Sequence, residues 1–344
     1  MSKTILVTGG CGYIGSHTIV DLIENGYNVI SVDDNSRSYA SMMDGIHKIT
    51  GKVVINYNVD MTHDTALRQV FIDNPAIIGV IHFAAYKAVG ESVAQPLMYY
   101  KNNLISLLNL LQCCDEFNVR HVVFSSSCTV YGTPDSMPVS ENTPTKTANC
   151  PYGATKQMGE QILTDFTKRD KNNQQVCILR YFNPAGAHPS LHIGEVPKDG
   201  IQSLTAAIMS VASGRKPGPL QVFGNDYATQ DGTCVRDFIH VCDIATAHTC
   251  ALDFMIANSS EVLSIFNLGK GLGNTVMEAI YAFEHTSNTQ LNYTISERRP
   301  GDIEAIYADN SKARLQLNWM PQYSLNDIMK TAWKFECKLI LLHS

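Results

Sequence analysis

A turn written Gly9-x-x-Gly12-x-x-Gly15 lies between a short apolar run, Thr4-Ile5-Leu6-Val7, and a stretch with helical spacing. The run reads as a buried strand. Glycine is needed where backbone must pass close to a pyrophosphate, and the helix that follows presents free N–H groups and partial positive charge to it. An acidic residue, Asp33, ends the next apolar run about 20 residues on, where the two hydroxyls of an adenosine ribose need an acceptor. Glycines alone are weak evidence. Strand, turn, helix and acid in this order describe a dinucleotide-binding βαβ unit.

The rest of the first half keeps the same rhythm. A helix from about Gly15 to Asn25 leads to strands at Asn28–Val32, Lys52–Tyr57, Ile77–Phe83, His121–Phe124 and Val176–Tyr181, with a helical stretch around Tyr99 to Phe117. Val- and Ile-rich strands separated by helices imply a doubly wound parallel sheet, Rossmann-like, covered on both faces. After Asn183-Pro184 glycine and proline become frequent. That change predicts a smaller α/β lobe of loops and short helices that does not continue the sheet. The expected division is residues 1–182 for the dinucleotide and 183–344 for a substrate.

With 344 residues the chain has room for two joined domains, and its 44% apolar fraction is that of an ordinary globular protein. A net charge of −6 gives no reason to expect nucleic acid or an anionic membrane surface as partner. No basic-then-apolar leader opens the sequence, and no apolar run approaches bilayer length. Ten scattered cysteines without CxxC spacing read as reduced thiols of a cytoplasmic protein. The region from Cys234 to Cys250 fits no zinc spacing, and Cys242 to His248 reads as the start of a helix, so no metal is expected.

Two features carry chemistry. Tyr152 and Lys156 are four residues apart, on one helix face, and an ammonium near a phenol favours the phenolate. Ser125-Ser126-Ser127 ends the fifth strand, and ligands of open α/β sheets lie beyond the carboxyl ends of strands. Ser127 is placed to hold a substrate hydroxyl, Tyr152 to act as base and then acid, and Lys156 to hold the cofactor ribose and tune the tyrosine. A second carboxylate, Asp34, follows Asp33. Both repel a 2′-phosphate, which favours NAD over NADP. Asp60-Met61 ends the third strand and could serve the adenine. Lys87 and Asn102 sit in segments that converge on the same place.

Longer stretches carry a resemblance. They are Val7 to His17, Lys87 to Ser92, Ser125 to Gly132, Pro151-Tyr152-Gly153, Arg180 to Pro184, Phe223 to Tyr227 and Arg298 to Asp302. Over nearly its whole length the chain resembles the UDP-glucose 4-epimerases, which are extended short-chain dehydrogenases/reductases. The resemblance implies NAD as cofactor and a UDP-sugar as substrate, oxidised at C4 to a ketone, turned, and reduced on the other face. It implies a cofactor set of Gly9, Gly12, Tyr13, Ile14, Gly15, Asp33, Asn35, Asp60, Met61, Phe83, Ala84, Lys87, Asn102, Lys156 and Tyr181. It implies substrate contacts from Lys87, Ser127, Tyr152, Asn183, Ser203, Leu204, Gln221, Phe223, Arg236, Arg299 and Asp302. It also implies a homodimer, packed through the helix around Tyr99 to Phe117.

Some positions depart from the family pattern. Ser203 stands where an asparagine is usual, so its phosphate contact could pass to Gln202. Ala85 replaces a glycine and Phe238 a tyrosine. Ile306 occupies a position whose side-chain size is associated with accepting or excluding N-acetylated sugars, and is intermediate. The related 4,6-dehydratases and decarboxylases place an acid shortly after the position of Ser127. Here Ser127-Cys128-Thr129-Val130-Tyr131-Gly132 contains none. A non-catalytic NAD-binding regulator is the remaining alternative, and such proteins usually lose the tyrosine or the lysine retained here.

Overall fold

The computed structural model describes residues 3–169, 173–198, 200–299 and 301–343. Pro300 of the Arg298–Asp302 motif lies outside the described residues, as do Met1 and Ser344 at the ends of the two expected domains. The first half alternates as the apolar runs predict: β1 (Thr4–Thr8), α1 (Tyr13–Glu24), β2 (Asn28–Val32), α2 (Ser41–Thr50), β3 (Ile55–Tyr57), α3 (Asp64–Asp73), β4 (Ile77–His82), α4 (Val89–Ala94), α5 (Pro96–Glu116), β5 (His121–Ser127), α6 (Pro151–Thr167) and β6 (Gln175–Tyr181). The second half adds β7 (Asn183–Ala185), α7 (Leu204–Ala212), β8 (Leu220–Phe223), β9 (Val235–Arg236), β10 (Phe238–His240), α8 (Val241–Ala257), β11 (Leu263–Leu268), β12 (Asn274–Thr275), α9 (Val276–Ser287), β13 (Tyr293–Ser296), β14 (Ala305–Ile306), α10 (Ser311–Gln316) and α11 (Leu325–His343).

Seven strands, all parallel, form the central sheet in the order β11-β6-β5-β4-β1-β2-β3. Side chains alternate along each strand, so one face carries Ile5, Val7, Ile81 and Val123 and the other Leu6, Val80, Val122 and Phe124. Helices cover both faces, which is why the strands read as continuous apolar runs. A separate apolar cluster built from Ile208, Val222, Ile280, Phe283 and Met329 forms the core of the second lobe.

Two expectations are corrected. The sheet does not stop at β6: β11, from well beyond residue 183, pairs along the whole of β6. The chain therefore leaves the sheet, builds part of the second lobe and returns, so a boundary at 182/183 does not separate the sheet from the rest. β3 is only Ile55–Tyr57, because pairing with β2 begins at Ile55 and Val53 is 82% exposed. β5 ends at Ser125-Ser126-Ser127 as its sequence suggested, with Ser127 held in register with Tyr181 of β6. The helix expected to begin at Cys242 is α8. All ten cysteines are free thiols, seven of them buried. None of the helices among the described residues is long and apolar enough to cross a membrane.

Candidate active site

Register sets the site. The carboxyl ends of β1, β2, β4, β5 and β6 open on one cavity of about 320 Å³. Its floor is the glycine turn. Gly9 has φ +69°, and a Cβ there would meet the Ala84 nitrogen at 2.9 Å. A Cβ on Gly15 would lie 2.2 Å from the Gly9 carbonyl oxygen. Two turns of backbone therefore pack closer than any side chain allows. Gly12 is extended (φ −74°, ψ 171°), so α1 begins at Tyr13, two residues earlier than the pattern suggested. Its first turn carries no acidic side chain, leaving the helix start favourable to an anion. Gly9, Gly12, Tyr13, Ile14 and Gly15 all face the cavity.

Asp33 lies beside the turn, 8% exposed. Its Oδ2 accepts from the Cys11 N–H at 2.9 Å, and its Oδ1 from the Asn35 N–H at 2.9 Å and the Ser38 hydroxyl at 2.7 Å. Burial raises its pKa, and these three donors pull it back. Oδ2 keeps a lone pair for a further donor. Asn35 itself is left-handed (φ 57°) and stands outside the cavity wall, fixing Asp33 from behind. Asp60 and Met61 line the same end. The Asp60 Oδ1 caps Thr62 at 2.8 Å, and the Met61 carbonyl accepts from Asn109 at 2.9 Å. Phe83 and Ala84 continue β4 against Thr8, with the Phe83 N–H 3.1 Å from the Thr8 carbonyl. Asn102 reaches the wall from α5, its amide donating to Asn103 at 3.1 Å. Lys87 also reaches it, largely exposed and 3.9 Å from Glu195.

At the other end Ser127, Tyr152 and Lys156 share the wall with Ser125 and Phe182. A Pro at N1 and the Cys150 sulfur, accepting from the Gly153 N–H at 3.4 Å, start α6 one residue before Tyr152. Burial pushes the Tyr152 phenol well up, and a hydrogen bond with Ser127 works against that rise. Lys156 is 5% exposed, and burial lowers it to about 8. Its Nζ donates to the Ser125 carbonyl at 2.5 Å and lies 5.9 Å from the Tyr152 ring centre. Tyr181 lines the cavity, with its hydroxyl turned to His248 Nε2 at 2.5 Å.

The remaining expected contacts form a second group. The Arg236 Nη2 lies 3.6 Å and the Arg299 Nη2 2.7 Å from the Asp302 carboxylate, and the Arg299 guanidinium stands 5.4 Å over the Phe223 ring. Arg236 also acts on the Cys128 thiol, the neighbour of Ser127, so this group borders the Tyr152 end. Asn183 holds its N–H on the Asp237 carbonyl at 2.9 Å, while its buried Oδ1 has no partner. Gln221, two residues before Phe223 on β8, accepts from the Ser296 hydroxyl at 2.5 Å. Asn183, Gln221, Phe223, Arg236, Arg299 and Asp302 stand outside the cavity wall, as do Ser203 and Leu204. Ser203 caps α7, accepting from the Ala206 N–H at 3.1 Å and donating to Glu195 at 2.9 Å, and Leu204 is the first helical residue. Gln202 faces the cavity instead. Ala85 lines it too, and Ile306 is buried among Cys128, Val130 and Phe182.

Several wall residues escaped the sequence reading. Arg37 forks onto Glu91 at 3.1 Å, and Lys198 donates to the Asn35 carbonyl at 2.5 Å and the Ser38 carbonyl at 3.2 Å. The second-lobe residues Gly194 to Lys198 thereby reach across the Asp33 end of the cavity. The sequence held only an irregular Gly/Pro stretch there, with no periodicity to read. Among the described residues no group of three or more His, Cys, Asp or Glu side chains is arranged to hold a metal ion.

A helix start, an acid with a spare lone pair and a phenol–ammonium couple along one cavity fit a dinucleotide. Comparison with known proteins agrees. The family described as GDP-mannose 4,6 dehydratase matches residues 6–332. The UDP-glucose 4-epimerase of Bacillus subtilis (strain 168) is 46% identical over 332 residues, covering 96% of both chains. The UDP-glucose 4-epimerase of Bifidobacterium longum, solved with NAD+ and UDP, superposes with a TM-score of 0.93 at 44% identity over 98% of each chain. That of Stenotrophomonas maltophila, solved with NAD and formylated UDP-arabinopyranose, gives 0.95 at 40% identity over 99% of each. With its glycine turn, its Tyr152–Lys156 couple and these relatives along nearly its full length, the chain belongs to the UDP-glucose 4-epimerase family of the extended short-chain dehydrogenases/reductases.

Proposed function

We propose that this protein interconverts UDP-galactose and UDP-glucose, with NAD retained between turnovers. The observation that carries the reading is Tyr152 beside Ser127 and Lys156 at one end of a cavity whose other end is the glycine turn and Asp33. NAD, when bound there, would supply a hydride acceptor and donor for C4 of the sugar. Gly9 to Gly15 and the start of α1 receive its pyrophosphate, and Asp33 its adenosine ribose.

Tyr152 takes the proton of the 4-hydroxyl and later returns one to the new hydroxyl. Ser127 orients that hydroxyl toward the phenol. Lys156 favours the phenolate through its charge and holds the nicotinamide-side ribose. Arg236 and Arg299 hold the pyrophosphate of the UDP part, because forked guanidinium donors match phosphate oxygens, and Asp302 accepts from its ribose hydroxyls. Anchoring through the nucleotide leaves the sugar free to present either face. The dehydratase chemistry named by the matching family needs a carboxylate just after Ser127. The turn Cys128–Tyr131 has none, and Thr129 occupies the place.

The test is direct. Purified protein given UDP-galactose yields UDP-glucose, and denaturing the purified protein releases NAD or NADH, seen by absorbance. A 4-keto-6-deoxy sugar as product, or no conversion by NAD-loaded protein, overturns the reading. We also propose a cytoplasmic homodimer packed through α5, on which Leu97 and Leu108 are exposed. Light scattering at the monomer mass would reject the dimer.

A further inference from the structure

One buried ion pair behind the site has no part in the steps above. Glu160 lies one helical turn beyond Lys156 on α6 and is buried with it. Its carboxylate accepts from Arg180 of β6 in a fork, Nε to Oε1 at 2.9 Å and Nη2 to Oε2 at 2.7 Å. Ser126 of β5 donates to Oε1 at 2.5 Å. Arg180 is braced in turn by the Tyr131 hydroxyl at 2.9 Å. Ser126 stands between Ser125, whose carbonyl takes the Lys156 ammonium, and Ser127, which touches the phenol.

We propose that Glu160, clamped by Arg180 and Ser126, is a positioning residue for the reaction: it is the anion that keeps Lys156 charged, and it pins the strand end carrying Ser125 and Ser127. The charges facing Lys156 support this. On its own helix are Tyr152 and Glu160. From β4 comes His82, bonded to Thr8 at 2.8 Å and lowered to about 3 by burial and by Lys156, hence neutral. From the turn after β5 come Cys128 and Tyr131, both pushed up and neutral. From β6 come Arg180, occupied by Glu160, and Tyr181, neutral and bonded to His248. The Glu91 of α4 is held by Arg37 and Tyr99. Burial lowers Lys156 and Glu160 opposes it. Salt-bridging to Arg180 does not waste that anion. It fixes the carboxylate in place, with Oε1 and Oε2 both taken by Arg180 and Oε1 also by Ser126.

The role in turnover rests on the proposed epimerase reading, so two readouts are taken. The first is the 13Cε shift of Lys156 against pH, assigned with Lys156→Met, in the NAD-loaded protein and in Glu160→Gln. The midpoint is expected to fall by about half a unit or more in Glu160→Gln. The second is kcat against pH for UDP-galactose, whose alkaline limb is expected to move down by the same amount, about threefold in rate on that limb, with KM within about twofold. A midpoint unmoved in a folded Glu160→Gln protein overturns the proposal, even if kcat falls, because a merely structural role lowers kcat alike at every pH. Should Glu160→Gln not fold, for want of a partner for Arg180, Glu160→Gln/Arg180→Gln is compared with Arg180→Gln alone, so that only the carboxylate differs, and the midpoint is again expected to fall. If the wild type turns over no UDP-galactose, the epimerase reading fails while the Lys156 midpoint still decides the part played by Glu160.

Discussion

Replacing Lys156 by methionine isolates the charge that the site places beside its phenol. The ammonium lies 5.9 Å from the Tyr152 ring centre. At an effective dielectric constant of about 20, a phenolate at that range gains about 3 kcal/mol from it. That is about two units of phenol pKa. Where the tyrosine must lose its proton to act, kcat near pH 7 should fall about 100-fold. The deficit should shrink as pH rises, because hydroxide then does what the ammonium did. The assay is conversion of UDP-galactose to UDP-glucose from pH 7 to 10, scaled to the NAD released from each preparation. A fully loaded variant that loses less than about threefold at pH 7 refutes the electrostatic argument. So does a deficit of equal size at every pH.

The same variant should be more stable, not less. Lys156 is lowered from 10.5 to about 8, so below pH 8 the folded chain bears the cost of a buried ammonium. Methionine removes that cost and loses one hydrogen bond, a net gain of about 2 kcal/mol at pH 7 that fades toward pH 10, read by thermal melts at both. Tyr152→Phe should lose most turnover while UDP-glucose still binds by calorimetry; near wild-type kcat would remove the acid–base assignment. Gly15→Ala drives a methyl onto the Gly9 carbonyl and should cost about 1–3 kcal/mol together with bound NAD, so an unchanged melt and NAD content would contradict the close packing. Arg299→Ala should raise KM for UDP-glucose about 10-fold with kcat within about threefold, and an unchanged KM would take Arg299 out of the anchoring group.

What could be read from the sequence was local. The glycine turn, Asp33, and the Tyr152–Lys156 spacing are fixed by a few neighbouring residues, and the strands of the first half announce themselves as apolar runs. What could not be read depends on partners far along the chain. Leu263–Leu268 is an apolar run like the other strands but lies between α8 and α9, far beyond the alternating first half, and only its pairing with β6 makes it part of the sheet. Lys198 gains a role from two carbonyls about 160 positions away, Asn35 and Ser38. Ser203 stands where a family pattern places a phosphate contact; at the start of α7 it also caps the helix, accepting from the Ala206 N–H, a use that only the fold reveals. Glu160 carried no signal beyond its distance from Lys156, since the arginine that clamps it arrives on β6, not on its own helix.

The homecoming of the chain at β11 bears on how the molecule can be divided. Every residue of β6 is buried. A fragment ended at residue 182 would bare that strand along one edge, offering a row of unsatisfied amides and carbonyls to any neighbour with a matching ribbon. Such a piece is expected to clump rather than fold, and adding back 183–344 as a second polypeptide would have to thread a strand into place. Nature's seam between the lobes is thus a stitch that passes through both cloths.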